Sequence, residues 1–290
     1  MRWKPQAWAY GFILPAACAI GLSFGYPLIR VIRFSFQSGS IDDLTDVGFQ
    51  NYAWLWEDPV FVHSALNNLK LLLSVPIMTG LALVIALILN GQIHGWRQYR
   101  AIVFFPYILP ATAVGLVFSY LLEQSGVLNT LLRSAHLDIL AMDWLGSADN
   151  VVPTIGGVIV WQQLGFGVVV FAAALLAVPQ ELIDAARIDG ASSWQIQRFI
   201  LLPYIRRVIE FFMVLQAITV LSSIFAYVFV LTKGGPAKAS SIIEYYIFEN
   251  GFENGAIGVA SAAVVILLLF VSVLILIYLQ LRRTNAEVDR

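Results

Sequence analysis

The sequence is poor in charge and in the residues that carry most redox and metal chemistry. Only 12% of its 290 residues are charged, about half the usual share in soluble domains. The single cysteine, Cys18, excludes an internal disulfide, a CxxC redox pair and a cysteine-based zinc site. The three histidines stand at wide spacings, so we expect no metal site. A net charge of −1 without any basic run indicates no nucleic-acid partner. No GxxxxGKS or GxxxxGKT loop is present to bind ATP phosphates.

Apolar sequence is abundant instead. Hydrophobic residues make up 59% of the chain, and the mean hydropathy is +0.80. Six nearly uncharged runs are each long enough to cross about 30 Å of hydrocarbon as a helix, and the first is too long for a typical signal-peptide core, so we expect it to stay uncleaved. Alternating barrel patterning is absent, so helices are expected. The six predicted spans lie near residues 9–34, 69–90, 101–122, 151–177, 208–231 and 256–281. We predict an all-α integral membrane protein with residues 1–290 in a single transmembrane domain.

The basic residues predict the orientation of the spans. One side of the membrane receives eleven of them, namely Arg2, Lys4, Arg97, Arg100, Arg187, Arg198, Arg206, Arg207, Arg282, Arg283 and Arg290. The other side receives six, namely Arg30, Arg33, Lys70, Arg133, Lys233 and Lys238. Because the basic side is the cytoplasmic one, we expect both termini and the loop between spans four and five to be cytoplasmic.

That loop, residues 179–203, is a compact polar segment between two apolar runs, and we call it the polar loop. Its first part predicts a short helix over residues 180–189, with Gly190 as a left-handed cap. Ser192 or Ser193 can cap a second short helix, residues 194–200, before Pro203 begins span five. A short, acidic, alanine-rich helix suits a membrane surface poorly. We therefore interpret the loop as a docking element for a cytoplasmic protein.

The polar loop resembles a known signature. Asp-Ala-Ala at 184–186, Gly190, and Ile-Leu-Leu-Pro at 200–203 are similar to the signature loop of permease subunits in bacterial ABC importers. The family's usual glutamate is Asp184 here. In that family the loop forms coupling helices that fit a groove on the cytosolic ATPase. The resemblance implies ATPase-coupling roles for Glu181, Leu182, Asp184, Ala185, Ala186, Arg187, Asp189, Gly190 and Pro203.

Other segments extend the resemblance along the chain. The stretches YPLIRVIRFSF, NYAWLWEDPVF, FFPYILPATAVGLVFSYLL and VLTKGGPAKAS are similar to carbohydrate importers of the maltose and glycerol-phosphate type, and Gly234-Gly235-Pro236 is characteristic of the first of their two permease subunits. The resemblance implies a multi-pass protein of the bacterial cytoplasmic membrane. Its implied partners are a second homologous permease, two ATPase subunits that use ATP and Mg²⁺, an extracytoplasmic sugar-binding protein and membrane lipid. The chain itself is expected to bind no cofactor and to catalyse no reaction.

A sugar path needs neutral hydrogen-bonding and aromatic side chains, and spans four and five carry several. The candidates are Trp161, Gln162, Gln163, Gln216, Thr219, Ser223 and Tyr227. The last four share one stripe if span five is a single helix. Hydrogen bonding between helices is the alternative role for all seven. Ser223 and Ala226 stand where the family often has glutamine and aspartate, which favours the second permease as the main sugar contact.

Two other functions remain open from the residues alone. Glu210, the one acid inside a predicted span, would be the coupling group of a proton-driven secondary transporter. It also lies one turn from Arg206 and Arg207, where an i,i+3 or i,i+4 ion pair suffices. An intramembrane hydrolase is the enzyme alternative, but the chain has no GxSxG element, no HExxH pair and no paired intramembrane aspartates.

Overall fold

The computed structural model of the protein describes residues 6–40, 43–90 and 95–288. Both chain ends and part of the loop after span two therefore lie outside the described residues, and so do Arg2, Lys4 and Arg290 of the orientation prediction. The helices are α1 (Gln6–Ile20), α2 (Tyr26–Phe34), α3 (Gln50–Glu57), α4 (Pro59–Leu71), α5 (Ser74–Asn90), α6 (Trp96–Ile108), α7 (Ala111–Leu121), α8 (Val127–Ser134), α9 (Val151–Leu176), α10 (Gln180–Ile188), α11 (Ser193–Ile196), α12 (Leu202–Ser222), α13 (Phe225–Leu231), α14 (Ile243–Phe248) and α15 (Ile257–Val288). The prediction of a mostly helical protein is confirmed.

Four helical segments are each long and apolar enough to cross a membrane. Two further pairs of helices, each bent at a short break, are long and apolar enough only when the two helices are taken together. The four are Phe12–Phe34, Pro59–Asn90, Val151–Leu176 and Ile257–Gln280. The bent pairs are α6 with α7, at 96°, and the helix from Ser193 to Ser222 with α13, at 47°. Six spans result if each pair counts as one, so the number six stays a prediction. The helices that contain the second and fifth predicted spans begin before those spans, at Pro59 and Ser193.

Prolines explain the sharper of the two bends. Leu109 and Pro110 adopt extended backbone, with ψ of 141° and 136°, between α6 and α7. Proline has no N–H for a helical hydrogen bond and disfavours helical geometry in the residue before it. Span five breaks at Ser223 and Ile224 without any proline or glycine, so its local sequence gives no comparable signal.

The chain divides into two compact units, of which the first comprises residues 1–62 and 246–270. It contains a hairpin that the sequence did not predict, formed by β1 (Gln37–Ser40) and β2 (Asp43–Asp46) in antiparallel pairing. Buried Asn51 holds the start of the hairpin by donating to the carbonyls of Ser35 and Gln37, at 2.9 and 2.8 Å. Gly258 lies so close to the Gln37 carbonyl that a Cβ could not fit.

The second unit comprises residues 63–245 and 271–290, and its apolar core is built on α5, α9 and α12. Met78, Ala82, Val168 and Phe171 are completely buried there. A small residue brings two helices close together: a Cβ on Gly165 would clash with the backbone carbonyl of Val103 in α6. Gly165 thus allows close backbone approach, as glycine does in many membrane helix pairs.

Candidate coupling loop and transport path

The first helix of the polar loop, α10, ends in a glycine cap that its own sequence supplies. Gly190 has φ of +82°, which favours glycine. Its N–H donates to the Arg187 carbonyl at 3.1 Å, and the next N–H, of Ala191, donates to the Ala186 carbonyl at 2.9 Å. This is the Schellman arrangement. The predicted helix and its left-handed cap are confirmed.

The second part of the loop begins with a capping box. The Ser192 hydroxyl accepts from the Gln195 N–H at 3.4 Å, and the Gln195 side chain accepts from the Ser192 N–H at 2.7 Å, which satisfies two free donors. The helix then runs through a π-helical turn, Gln197–Leu201, directly into α12. The prediction of a separate helix ending before Pro203 was wrong, because the wider turn accommodates the proline within a continuous helix.

Helix α10 packs by one face and leaves the other open. Ile183 and Ala186 pack against the core of the second unit. Leu182 is 46% exposed and Ile188 is 86% exposed. Ala186 therefore lies on the packed face of α10, and Leu182 lies on the open face. Trp194, in the next helix, is 65% exposed, so the loop presents large apolar side chains to its surroundings.

The charges of the polar loop interact mainly with one another. The Asp184 carboxylate accepts from the Gln180 amide at 3.0 Å and from the Arg187 guanidinium at 3.4 Å. Both members of the ion pair are more than half exposed, so the pair contributes little stability. Glu181 and Asp189 are also exposed. These charges stay accessible to another molecule.

A cavity of about 290 Å³ lies behind the loop. Asn90 at the end of α5, Leu175 of α9, Arg187 of α10 and Gln197 of the π-helical turn all line it. The loop therefore rests on the helix ends without filling the space between them.

The seven side chains predicted to line a transport path differ in exposure. Gln162, Gln216 and Tyr227 are buried, Gln163 and Thr219 are half-buried, and Trp161 and Ser223 are exposed. The span-five residues do not share one stripe, because the span bends at Ser223 and Ile224. That part of the prediction assumed an unbroken helix and was wrong. Lining a path stays a prediction for all seven.

A second polar constellation holds the segment that follows span five, residues 232–245, which we call the clamped segment. Asn67 of α4 is completely buried and donates to the carbonyls of Ala239 and Ser241, at 2.8 and 2.9 Å. Asn68 donates to the Glu244 carboxylate at 3.0 Å and accepts from the Ile243 N–H at 2.8 Å. Two adjacent asparagines thus fix the segment from another helix.

The clamp supports a strained backbone. Lys233, Ala237 and Lys238 all have positive φ, between 45° and 66°, which is uncommon outside glycine. Such residues persist where the surrounding contacts over-determine the backbone. The Ser64 hydroxyl adds a further contact, with the hydroxyl of Ser241 at 2.9 Å.

Sequence reasoning did not single out Ile188 and Trp194, two exposed apolar side chains of the polar loop, or the two asparagines that hold the clamped segment. Ile188 and Trp194 could have been found as large apolar side chains among charges at a predicted cytoplasmic loop. Asn67 and Asn68 carried a weaker signal, as two adjacent amides just before a predicted span. Their partners lie more than 170 positions away in sequence, so local sequence patterns cannot predict these contacts.

Glu210 forms the ion pair that its spacing predicts. Its carboxylate accepts from the Arg206 guanidinium at 2.7 Å, one turn away on α12, and the arginine is largely exposed. This contact accounts for an acid near the end of a span and gives no support to proton coupling.

Comparison with known proteins agrees with the fold. Residues 96–286, well over half of the chain, match the family described as "Binding-protein-dependent transport system inner membrane component". A crystal structure of a bacterial alginate ABC transporter, in complex with an alginate pentasaccharide-bound periplasmic protein, contains a chain of the same fold with a TM-score of 0.83. The two chains are 23% identical, and the match covers 96% of this chain and 94% of the other.

Two sequence relatives extend the match to nearly the whole chain. YurN of Bacillus subtilis, named a probable ABC transporter permease protein, is 30% identical over 285 residues, which are 96% of this chain and 97% of the relative. NgcF of Streptomyces coelicolor, a diacetylchitobiose uptake system permease protein, is 35% identical over 243 residues, which are 79% of this chain and 68% of the relative. The chain therefore belongs to the family of binding-protein-dependent transport system inner membrane components.

Proposed function

We propose that this protein is the permease subunit of an ATP-driven sugar importer, and that the polar loop transmits the motion of an ATPase to the spans. The exposed apolar face of α10 carries the proposal. A helix capped by its own sequence, with Leu182 and Ile188 open beside accessible charges, is suited to enter a groove on another protein. Because α10 also packs on the core through Ile183 and Ala186, a displacement of α10 by the ATPase would be transmitted to the spans.

The complex would contain a second permease, two ATPase subunits and an extracytoplasmic binding protein. The ATPases would hold ATP and Mg²⁺. The eleven-to-six distribution of basic residues supports a cytoplasmic location for the polar loop and both termini. The second permease would complete the path, of which this chain forms half.

A carbohydrate substrate is supported by the relatives. Their names include uptake of diacetylchitobiose, lactose transport and multiple sugar-binding transport. A phosphate-bearing substrate favours cationic partners, and the candidate path residues are neutral amides, hydroxyls and aromatic rings. We infer that a neutral sugar is the cargo.

The test compares two exposed isoleucines. Ile188→Arg places a charge on the open face of α10, whereas Ile139→Arg makes the same change at a 94%-exposed position in the short 3₁₀ helix Asp138–Leu140. We expect Ile188→Arg to lose most of the co-purifying ATPase and the stimulation of hydrolysis by the loaded binding protein, and Ile139→Arg to keep its ATPase. Equal retention of the ATPase by both variants would refute docking at α10.

A further inference from the structure

The break in span three leaves a backbone carbonyl that its own helix does not use. Leu109 ends α6 in extended geometry, and α7 begins only at Ala111. The amide of Gln162, near the middle of α9, donates to this Leu109 carbonyl at 2.7 Å. At membrane depth an unpaired carbonyl costs several kcal/mol, so the contact has a structural reason.

The same side chain also reaches the second part of span five. The Tyr227 hydroxyl, just beyond the break at Ile224, donates to the Gln162 carbonyl oxygen at 2.7 Å. Both side chains are only 3% exposed. One glutamine of span four therefore bonds to the backbone at the break of span three and to a side chain in the second half of span five.

The second halves of the two broken spans are packed against each other. A Cβ on Gly115 of α7 would lie 3.1 Å from the Cβ of Val230 in α13. The ring of Phe118, one turn further along α7, meets Trp161 of α9 edge-on at 5.0 Å. Helices α7 and α13 thus form a close pair on span four, beside the Gln162 contacts.

We propose that Gln162 is a positioning residue that makes α7 and α13 move as one body, with the breaks at Leu109–Pro110 and Ser223–Ile224 as hinges. The inference rests on the proposed transport function. Alternating access requires spans to change their angles between two states, and breaks with short linkers absorb such changes. Because the amide bonds to Leu109 at the first break and to Tyr227 in α13, and α13 packs closely on α7, the two angles change together, and the path does not open at one span while the other stays closed.

A purely structural role for Gln162 makes a different prediction. If the amide only satisfies the Leu109 carbonyl, the Tyr227 hydroxyl is dispensable. Tyr227→Phe removes the second bond and leaves the first, so it separates the two roles without exposing the carbonyl. Tyr120→Phe, at an exposed position of α7, removes a hydroxyl from the same pair of helices and is the matched control.

The experiment measures the angle of span three after a change in span five. Cys18 is the only cysteine, so Cys18→Ser gives a background for spin labels at positions 102 and 116, which are 68% and 53% exposed on α6 and α7. The distance between the labels is recorded in the complex with its partner subunits, without and with ATP. We expect Tyr227→Phe to add a second population without ATP. The ratio of the second population to the first should be roughly fivefold higher in Tyr227→Phe than in wild type, as expected for the loss of one buried hydrogen bond of about 1 kcal/mol.

Transport gives the second readout. We expect Tyr227→Phe to raise the ATP consumed per sugar imported and to leave assembly intact. A distance distribution and an ATP-to-sugar ratio equal to those of wild type and Tyr120→Phe would overturn the inference. A wild-type complex that imports no sugar would instead overturn the proposed function, and the distances measured without ATP would still decide the role of Gln162.

Discussion

The polar loop and the clamped segment, which lie at opposite ends of span five, are stabilised in different ways. In the polar loop, hydrogen bonds run between neighbours in sequence, as in the Ser192–Gln195 capping box, and the polar side chains stay exposed. In the clamped segment, the backbone is held by buried side chains of α4, far away in sequence. A loop whose hydrogen bonds are local, and which packs on the core by one face only, can offer its outer face to another protein. A segment that depends on buried amides is fixed from inside.

Backbone strain follows the same division. The polar loop uses one left-handed position, and it is a glycine, Gly190. The clamped segment places Lys233, Ala237 and Lys238 at positive φ, where each costs about 1 kcal/mol or more. The strained backbone therefore lies in the segment that buried hydrogen bonds stabilise.

The largest effect should come from breaking the cap of the polar loop. Gly190→Pro cannot keep φ of +82°, because proline is held near −65°. Proline also removes the N–H that donates to the Arg187 carbonyl. We expect uptake and the response of ATP hydrolysis to the loaded binding protein to be lost. Normal stimulation together with normal uptake would show that the polar loop is only a surface connection.

A milder change at the same site tests the cause. A Cβ at Gly190 would meet no atom within 4 Å, so Gly190→Ala adds backbone strain of about 1 kcal/mol and no clash. We expect it to keep partial coupling. The order glycine, alanine, proline in residual uptake would tie the function to the backbone conformation at this position.

Removing the clamp should lower stability and leave the polar loop unchanged. Asn67→Ala takes the donor from the buried Ser241 carbonyl and leaves the Ala239 carbonyl only its contact with His63, which we expect to cost about 2 kcal/mol. The measurement is the midpoint of thermal unfolding in detergent. Gln180→Ala, which removes the exposed contact to Asp184, is the matched change in the polar loop. Equal shifts for the two variants would contradict the division between a self-supported and a clamped connection.

The parts of the molecule that sequence predicted are those with short-range causes. The Gly190 cap follows from residues within one helical turn. Ser192 and Ser193 could not be told apart from sequence, and the capping box with Gln195 selects Ser192. Signals of this kind act whatever the tertiary context, so α10, its glycine cap and the start of the second helix could be predicted, whereas the continuous helix through Gln197–Leu201 into α12 could not.

The parts that sequence missed depend on distant partners. Gln216 and Tyr227 were placed on one face by helical spacing, but span five breaks between them at a Ser-Ser-Ile sequence that carries no helix-breaking residue. Gln162 was a candidate for lining the path, a role that stays a prediction, and sequence gave no sign of the two protein partners that its amide has. Periodicity shows which residues share a helix face, and packing decides what that face contacts.

Glu244, at the end of the clamped segment, allows a buried carboxyl to be compared with the exposed carboxyls of the polar loop. One of its carboxylate oxygens accepts from Asn68, and the other, Oε1, is buried without a hydrogen-bond partner among the described residues. Burial raises the pKa of this carboxyl from 4.5 to about 7, and the Asn68 hydrogen bond opposes the increase. The folded state therefore keeps its proton between these two values while the unfolded state loses it, so stability falls as the pH rises from about 4.5 to about 7.

Glu244→Gln removes this pH dependence, because the amide carries no charge to bury. We expect the variant to be more stable than wild type at pH 8, by about 3 kcal/mol, and most of this advantage to be absent at pH 5. Thermal unfolding at both values measures the difference, and Glu181→Gln, at an exposed position of the polar loop, controls for the loss of a negative charge. An advantage of equal size at both pH values would mean that the amide improves packing. In that case burial does not disfavour the ionised carboxylate of Glu244. The polar loop and the clamped segment would then differ in their hydrogen bonds and not in the cost of burying a charge.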